Sequence, residues 1–440
     1  MYSVTSAFKT KADDPQDIEV RKFTFKGIDY TDKLLRMGGW NQSQYEDDEP
    51  QSVDLTVELL NDSKEFNFIQ TTKTNMGKVG KLEIGFDSEL IERYTGYLDR
   101  VEFASRERPV AILTFVSKLQ QAINRRVGST ATAVSYAAQN PADLAWSVLT
   151  VYGGMDTTKT GANANVLFSF GDVVKTESST ENTTVLSFGG VHGSVALDGN
   201  TDIDYKSWKT WKDQCDDLSL SIAANFAGQT VAGAMRLIGD VVDTLIFAET
   251  TGKVFFRKFV LKESGTPYLF DDQKAHFRDI SMRMNKTRTR IVNKVIVNYG
   301  YSTASNTFSG ALTFTNTTSQ TDYGLFEREF DNKNVWHDSA LSAKSFGERL
   351  VSRYKEPVDT VTFKTKRGTQ AMIHQIGDVM KVNWDQMDYS NKEMRIYGIS
   401  SSLSEGEYEI TSEDVSALAS ISLFVLDDTT NGQLDVSKLN

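Results

Sequence analysis

A regular alternation of apolar and polar residues over 52–59 constrains the fold of this chain more than any other feature. The apolar positions are Val53, Leu55, Val57 and Leu59. A period of two places apolar side chains on one face of a strand and polar ones on the other, as in an antiparallel sheet with one buried face. Further strand-like segments occur at 81–86, 110–116 and 288–299, and beyond 359. The sequence predicts an α+β fold that is mainly β.

Helical segments interrupt the strands. Asn140 and Pro141 suit the cap and the first position of a helix that ends at Gly153. Segment 339–354 is predicted to be helical and to stop before Pro357, because the residue ahead of a proline avoids the helical region. One apolar stripe with helical spacing predicts a single helix from Val231 through Met235, Ile238 and Val242 to Leu245. Further helices are predicted at 118–126 and 205–218.

The chain has 440 residues, which is too long for one ordinary hydrophobic core and predicts several domains. Residues 156–204 hold no proline and are rich in Thr, Ser, Asn and Gly, so we expect an inserted β-hairpin or projecting flap there. The predicted units are a first strand-rich domain at 1–130, an α/β connecting domain at 131–155 and 205–285, the insertion at 156–204, a second strand-rich domain at 286–425 that contains helix 339–354, and a C-terminal tail at 426–440.

The net charge of −11 bears on possible partners. Firm binding to nucleic acid needs a basic surface, so the charge favours either a conduit that DNA slides through or an ordinary acidic protein. The single cysteine, Cys215, excludes an intrachain disulfide and is expected to pack as a small apolar residue. The start, MYSVTSAFKTKADDP, has no apolar stretch behind a basic end, and no run approaches about 20 apolar residues. We therefore expect synthesis in a reducing cytoplasm and no membrane insertion.

Residue types that could carry catalysis are scattered. The sequence has no nucleophile elbow, Walker loop or dinucleotide fingerprint. GGVHGS at 189–194 fits a turn, and EDDEP at 46–50 is a weak candidate for a glycosidase-like carboxylate pair, for which a solvated turn is the alternative. The histidines lack neighbours at metal-ligand spacing and are expected at ordinary surface or loop positions; they are His192, His276, His337 and His374. We predict no catalytic, cofactor-binding or metal-binding residues, and no enzyme.

Two further groups of residues have alternative interpretations. Lys286, Arg288 and Arg290 would share one face of a strand, where they could meet phosphate, an acidic neighbouring subunit or, as the default, solvent. Trp208 and Trp211 are interleaved with lysines in KSWKTWK and could stack on nucleic-acid bases. Tryptophans three residues apart on a helix more often anchor a core, so a core position is predicted for both.

Several motifs follow one another in a particular order along the chain. ERYTGYLDRVEF contains Gly96–Asp99, and NPADLAWSVLTVYGGMD pairs a helix with a Tyr-Gly-Gly turn. A later helix precedes Gly252 and a strand. IVNKVIVNYG is a further strand, and IGDVMKV contains Gly377–Val379. Together they resemble bacteriophage tail hub proteins, the group typified by the trimeric baseplate hub. The resemblance covers most of the chain, apart from 156–204 and parts of 300–335.

The resemblance implies two tail-tube-like β-barrel domains per chain, at 1–130 and 286–425. Three chains would present six barrels in a ring at the tail tip of the virion, assembled in the cytoplasm of the host bacterium. The ring would join a hexameric tail tube to a trimeric spike or fibre complex, and its lumen would pass the tape-measure protein and then DNA. The alternatives are a distal tail or adaptor ring protein, and a β-rich carbohydrate-binding or glycoside-hydrolysing tail protein.

Overall fold

The fold is described by a computed structural model over residues 5–12, 20–38, 41–43, 53–67, 75–86, 89–105, 109–158, 166–170, 173–177, 183–188, 201–258, 267–272, 283–286, 290–365, 370–402 and 407–415. The helices are α1 Ser6–Ala12, α2 Lys118–Ile123, α3 Pro141–Ser147, α4 Tyr205–Asp217, α5 Val231–Val242, α6 Thr317–Tyr323 and α7 Ala340–Tyr354.

The strands in the first half of the chain are β1 Val20–Phe25, β2 Ile28–Asp29, β3 Leu34–Met37, β4 Asn41–Ser43, β5 Asp54–Leu60, β6 Val79–Phe86, β7 Glu89–Ser105, β8 Pro109–Val116, β9 Arg126–Val127, β10 Val134–Gln139, β11 Val166–Phe170, β12 Val173–Glu177 and β13 Thr183–Phe188. Those in the second half are β14 Ile222–Phe226, β15 Gln229–Thr230, β16 Thr244–Ala248, β17 Val254–Lys258, β18 Leu269–Asp271, β19 Arg283–Lys286, β20 Lys294–Ser302, β21 Thr307–Thr315, β22 Glu327–Phe330, β23 Val335–His337, β24 Asp359–Lys364, β25 Val379–Trp384, β26 Tyr389–Ser402 and β27 Glu407–Asp414. The mainly β, α+β fold class is confirmed.

The N-terminal sheet has seven strands in the order β2-β1-β6-β7-β8-β5-β3, paired antiparallel throughout. The predicted alternation in β5 is confirmed, because Leu55, Val57 and Leu59 are buried while their neighbours are partly or fully exposed. Phe23 and Phe25 from β1 pack edge-on against Phe115 from β8 in the same core.

Four strands of the C-terminal sheet repeat the connectivity of four strands in the N-terminal sheet. The next strand differs, because β18 pairs parallel with β25 whereas β1 pairs antiparallel with β6. The order of the C-terminal sheet is β18-β25-β26-β27-β24-β19, with β4 added to β26. In both sheets three consecutive strands form an antiparallel meander, and the last of them pairs with the strand that precedes the meander. The N-terminal set is β6-β7-β8-β5 and the C-terminal set is β25-β26-β27-β24. The chain therefore carries two copies of one four-stranded connectivity.

A central sheet lies between these two in the sequence, in the order β10-β14-β23-β20-β21, with β22 also paired to β20. Helix α7 covers β20 and β21, where Phe346 and Leu350 meet Val295 and Val297 in a shared core. Strands from the range predicted as one second domain, 286–425, thus divide between the central and C-terminal sheets.

Helix boundaries follow local chemistry. The Asn140 side chain accepts a hydrogen bond from the Ala142 amide and caps α3, as predicted. The prediction that one helix extends to Leu245 is wrong: α5 ends at Val242, because Asp243 adopts φ 57° and closes the helix in a left-handed conformation. Aspartate tolerates this region better than most residues. Leu245 then lies in β16.

The sheets predicted as barrels remain open among the described strands. The N-terminal sheet ends at β2 and β3, and the C-terminal one at β18 and β19, each with only two to four residues to pair further. Within 156–204, where a hairpin or flap was predicted, β11, β12 and β13 form a three-stranded antiparallel sheet.

Candidate functional site

The antiparallel ribbon β16–β17 lies at the junction of the two large sheets. At its turn, the Thr250 carbonyl accepts a hydrogen bond of 2.8 Å from the Thr95 amide of β7 in the N-terminal sheet. Gly252, at φ +85°, follows in the turn, and a Cβ there would lie 2.6 Å from the Thr95 carbonyl oxygen. Both the backbone angle and the close contact require glycine, so the chain passes tightly against β7 at this point.

The same ribbon is ion-paired to the C-terminal sheet. Arg257 Nη2 lies 2.8 Å from Asp378 Oδ1, and the Gln375 amide donates to Asp378 Oδ2 at 2.7 Å. Asp378 is fully buried; burial alone would raise its pKa, but the Arg257 guanidinium holds the pKa well below its usual range. Gly377, at φ +84°, has no side chain and leaves room for the Arg257 methylenes. A charged pair thus fixes the ribbon to the loop that enters β25.

Glu249 is a second buried carboxyl group of the ribbon. Its Oε2 accepts a hydrogen bond from the Thr251 hydroxyl at 2.7 Å, and its Oε1 accepts one from Gln375 Nε2. Burial raises the pKa of Glu249 to about 7, with Asp204 adding to the increase and Thr251 and Arg257 opposing it. Glu249 therefore changes charge near neutral pH inside the junction.

Glu249→Gln is expected to stabilise the protein above pH 7. A carboxyl group whose pKa is raised on folding contributes most stability below its ordinary pKa of 4.5, and that contribution is lost as the pH rises toward 7. The variant keeps the acceptor for Gln375, so its gain over wild type should grow by about 3 kcal/mol between pH 5 and pH 8. Urea denaturation at both pH values measures it, with the exposed Glu102→Gln as control. A pH-independent difference would contradict the assignment.

A cluster of charges joins the central sheet and its helices to the C-terminal sheet. Its members are Glu413, Arg353, Arg395, Arg290 and Asp243. Glu413 Oε1 accepts from Arg353 Nη2 at 2.9 Å and from Arg395 Nη2 at 2.8 Å. Arg290 Nη1 donates to Oε2 at 2.9 Å, and Arg353 Nη1 also donates to Asp243 at 2.9 Å. Burial would raise the pKa of Glu413, but the three guanidinium groups lower it to about 2. The cluster connects α7, the residue that ends α5, and strands β26 and β27.

The motif residues of β7 have a structural role. The Tyr94 hydroxyl lies 2.8 Å from the carbonyl oxygens of Val53 and Phe115. It therefore links the start of β5 to β8. Gly96 makes this possible, because a Cβ there would lie 2.7 Å from the Tyr94 hydroxyl. Leu98 is buried. This motif holds the N-terminal sheet together.

The structure buries several residues that the sequence singled out. Trp208 and Trp211 lie in the core as predicted, and Cys215 is buried on the same helix. The prediction of surface or loop positions is wrong for His337, which is buried in β23 beside the Ser342 hydroxyl; burial lowers its pKa to about 3. His374 is buried too, with Nδ1 3.8 Å from Asp378 Oδ2.

Other singled-out residues are only partly accounted for. Arg290 is not part of a solvated strand face, because it pairs with the buried Glu413 and β19 ends at Lys286. The remaining candidates lie outside the described residues: His192, His276, Arg288, 46–50 and 189–194.

Sequence reasoning missed the junction residues. Arg257 and Asp378 are 121 residues apart, and Arg353 and Asp243 are 110 apart. The available signal was the pair of charges, Arg257 and Lys258, in the otherwise apolar segment VFFRKF, because a charge that is buried with such a strand needs a partner.

The described part of the chain contains no group of three His, Cys, Asp or Glu side chains able to hold a metal ion. Among the same residues, no helix is both long and apolar enough to cross a bilayer. The arrangement of the junction is one of buried ion pairs and tight turns, which orient sheets relative to one another.

Comparison with solved structures identifies similar folds. A tail protein from Neisseria meningitidis MC58 matches with a TM-score of 0.51 and 11% identity, over 90% of this chain and 96% of that one. The 43 kDa tail protein of prophage MuSo2 from Shewanella oneidensis gives 0.47 and 13%, over 91% and 99%, and prophage tail protein gp18 from Listeria monocytogenes EGD-e gives 0.38 and 9%, over 87% and 90%. No protein-family model and no curated protein sequence matches the chain. The Neisseria match confirms the predicted resemblance to tail proteins at the level of fold.

Proposed function

We propose that this chain is a non-enzymatic structural hub of a bacteriophage tail tip. Three copies form a ring that joins the hexameric tail tube, or a distal tail protein, to a trimeric spike or fibre complex. The similarity to the Neisseria tail protein over nearly the whole of both chains supports a place in a tail.

The repeated sheet topology is the observation that carries the proposal. Each chain holds the same strand order twice, in β6-β7-β8-β5 and β25-β26-β27-β24. Three chains therefore supply six four-stranded units of the same connectivity, which suits a ring that meets sixfold symmetry on one side and threefold symmetry on the other. The ion pairs of the junction suit the same task, because a ring needs the two sheets of each chain held at one angle.

The charge of the chain fits a passage for DNA. A net charge of −11 disfavours adhesion to phosphate. In the proposed ring, the lumen passes the tape-measure protein and then DNA during ejection, in a virion assembled in the host cytoplasm. The proposed function does not involve insertion into a membrane.

The proposal is tested by mass and by binding. Native mass spectrometry of the purified full chain, of 49.1 kDa, should show a trimer. The trimer should bind the tail-tube protein and the spike protein of the same virus at separate sites, measured by pull-down with each partner alone and both together.

Other outcomes would contradict the proposal in distinguishable ways. A hexamer that binds tube protein would favour the distal tail or adaptor ring instead. Hydrolysis of peptidoglycan or polysaccharide by the purified chain would overturn the non-enzymatic assignment and favour a glycoside-hydrolysing tail protein. A monomer without affinity for tube or spike protein would contradict the hub.

A further inference from the structure

The central sheet ends in two strands whose outer edges are unpaired among the described residues. These are β21, with nine residues (TFSGALTFT), and β10, with six (VSYAAQ). Neither strand contains a charged residue or a proline. A long uncharged edge presents a row of backbone donors and acceptors on which another strand can pair, and proteins usually prevent this with charges, prolines or short strands.

The outer strands of the two seven-stranded sheets show that usual protection. β2 has two residues and contains Asp29, and β3 has four with Arg36 among them. β18 has three residues, and the sequence of β19, RMNK, has a charge at each end. β21 is therefore an exception among the outer strands of the three largest sheets, since it is long, uncharged and regularly paired. β10 is uncharged too, although its pairing with β14 shifts register between Tyr136 and Gln139.

The directions of the strands allow the two edges to meet between copies. Along the central sheet, β10 and β14 are antiparallel, β14 and β23 are antiparallel, β23 and β20 are parallel, and β20 and β21 are antiparallel. β10 and β21 consequently run in opposite directions. If a second copy continues the sheet in the same orientation, its β10 lies antiparallel to β21 of the first.

The faces of the two strands match as well. In the pairing registers, Tyr136 stands opposite Ala224 and Gly310 opposite Tyr299, and these positions lie on the helix-covered face. On the other face both strands expose small uncharged side chains: Ser135 on β10, and Ser309, Ala311 and Thr313 on β21. A joined sheet would keep the helix-covered positions on one face and small uncharged groups on the other.

We propose that β21 of one copy pairs antiparallel with β10 of the next, head to tail, and that this pairing closes the ring. The inference deepens the proposed hub function and rests on it for the number of copies. A twofold contact between two β21 strands is also antiparallel, but it would leave β10 of each copy unprotected. Head-to-tail pairing covers both edges, and such heterologous contacts generate closed rings.

Single lysine substitutions on each edge test the proposal. Ala311→Lys on β21 and Ala137→Lys on β10 are both at exposed positions, and each should abolish the ring by placing a charge at the joint. Ala304→Lys, in the exposed turn between β20 and β21, is the matched control and should leave the ring intact. Circular dichroism and the melting temperature check that each variant is folded, and Thr313→Lys and Ser135→Lys form a second pair.

Mixing the two variants separates the possible geometries. The Ala137→Lys chain keeps an intact β21, and the Ala311→Lys chain keeps an intact β10. Head-to-tail pairing thus predicts that the equimolar mixture forms a two-chain complex and nothing larger in native mass spectrometry. A twofold β21 contact predicts instead that Ala137→Lys has no effect.

Each remaining outcome contradicts a defined part of the inference. A trimer that survives all four lysine variants overturns the strand pairing and leaves the proposed hub standing. A wild-type chain that stays monomeric at every concentration tested overturns both.

Discussion

Replacing Glu413 with glutamine is expected to lower the free energy of unfolding by about 3–5 kcal/mol, because it removes the anion that three guanidinium groups share. Arg353 and Arg395 are both at most 5% exposed, so solvent cannot replace the lost carboxylate. The shape of the side chain is retained, which confines the change to its charge. Urea denaturation of the full chain at pH 7 measures the effect.

The pH dependence of the same variant provides an independent check. The pKa of Glu413 falls from its ordinary 4.5 to about 2 on folding. A carboxyl group of this kind contributes stability above pH 4.5 and loses it as the pH falls toward 2. Wild type should therefore lose about 3 kcal/mol of its advantage over Glu413→Gln across that range.

Glu409→Gln serves as the matched control. Glu409 precedes Glu413 on the same strand, β27, and is only partly buried. This substitution should change the free energy of unfolding by less than about 1 kcal/mol, as partly exposed charges contribute little. Equal destabilisation by the two substitutions would contradict the prediction, because it would mean that the Glu413 charge contributes no more to stability than a partly exposed one.

The strands were predictable because their signal is local. The alternation in β5 needs only seven adjacent residues to place its apolar face on the core, and the cap at Asn140 needs only two. The end of α5 was not predictable in the same way. The apolar stripe continues through Leu245, and only the left-handed backbone at Asp243 redirects the chain into β16.

The candidate site was not predictable, because its partners meet through the fold. Asp378 was singled out only as part of a family motif, and nothing near it in sequence indicates Arg257. The ribbon lies between the two large sheets because of pairing between strands that are far apart in the sequence. The alternation of apolar and polar residues does not specify which strands pair. The repeated topology is hidden for the same reason: β5 and β24 are equivalent through their partners, and their sequences, DLTVELL and DTVTFK, share only a pattern.

Asp378→Asn is expected to destabilise the protein by about 3–5 kcal/mol, since it removes the buried carboxylate that pairs with the Arg257 guanidinium at the junction. The asparagine oxygen can still accept from the Gln375 amide, so that hydrogen bond of the turn before β25 is retained. Denaturant midpoints measure the loss. The exposed Asp388→Asn is the control, because asparagine also tolerates the left-handed backbone found there.

A double-mutant cycle then separates the ion pair from a general loss of packing. Arg257→Met removes the guanidinium that has lost the Asp378 carboxylate, so Arg257→Met combined with Asp378→Asn should be more stable than Asp378→Asn alone. We expect a coupling free energy of about 1–3 kcal/mol between the two sites. Additive effects would mean that the ribbon is held to the C-terminal sheet by its apolar contacts and its turn. Strong coupling would make the ion pair a main contact between the ribbon and the C-terminal sheet, and the proposed ring requires such a contact to hold the two sheets of each chain together.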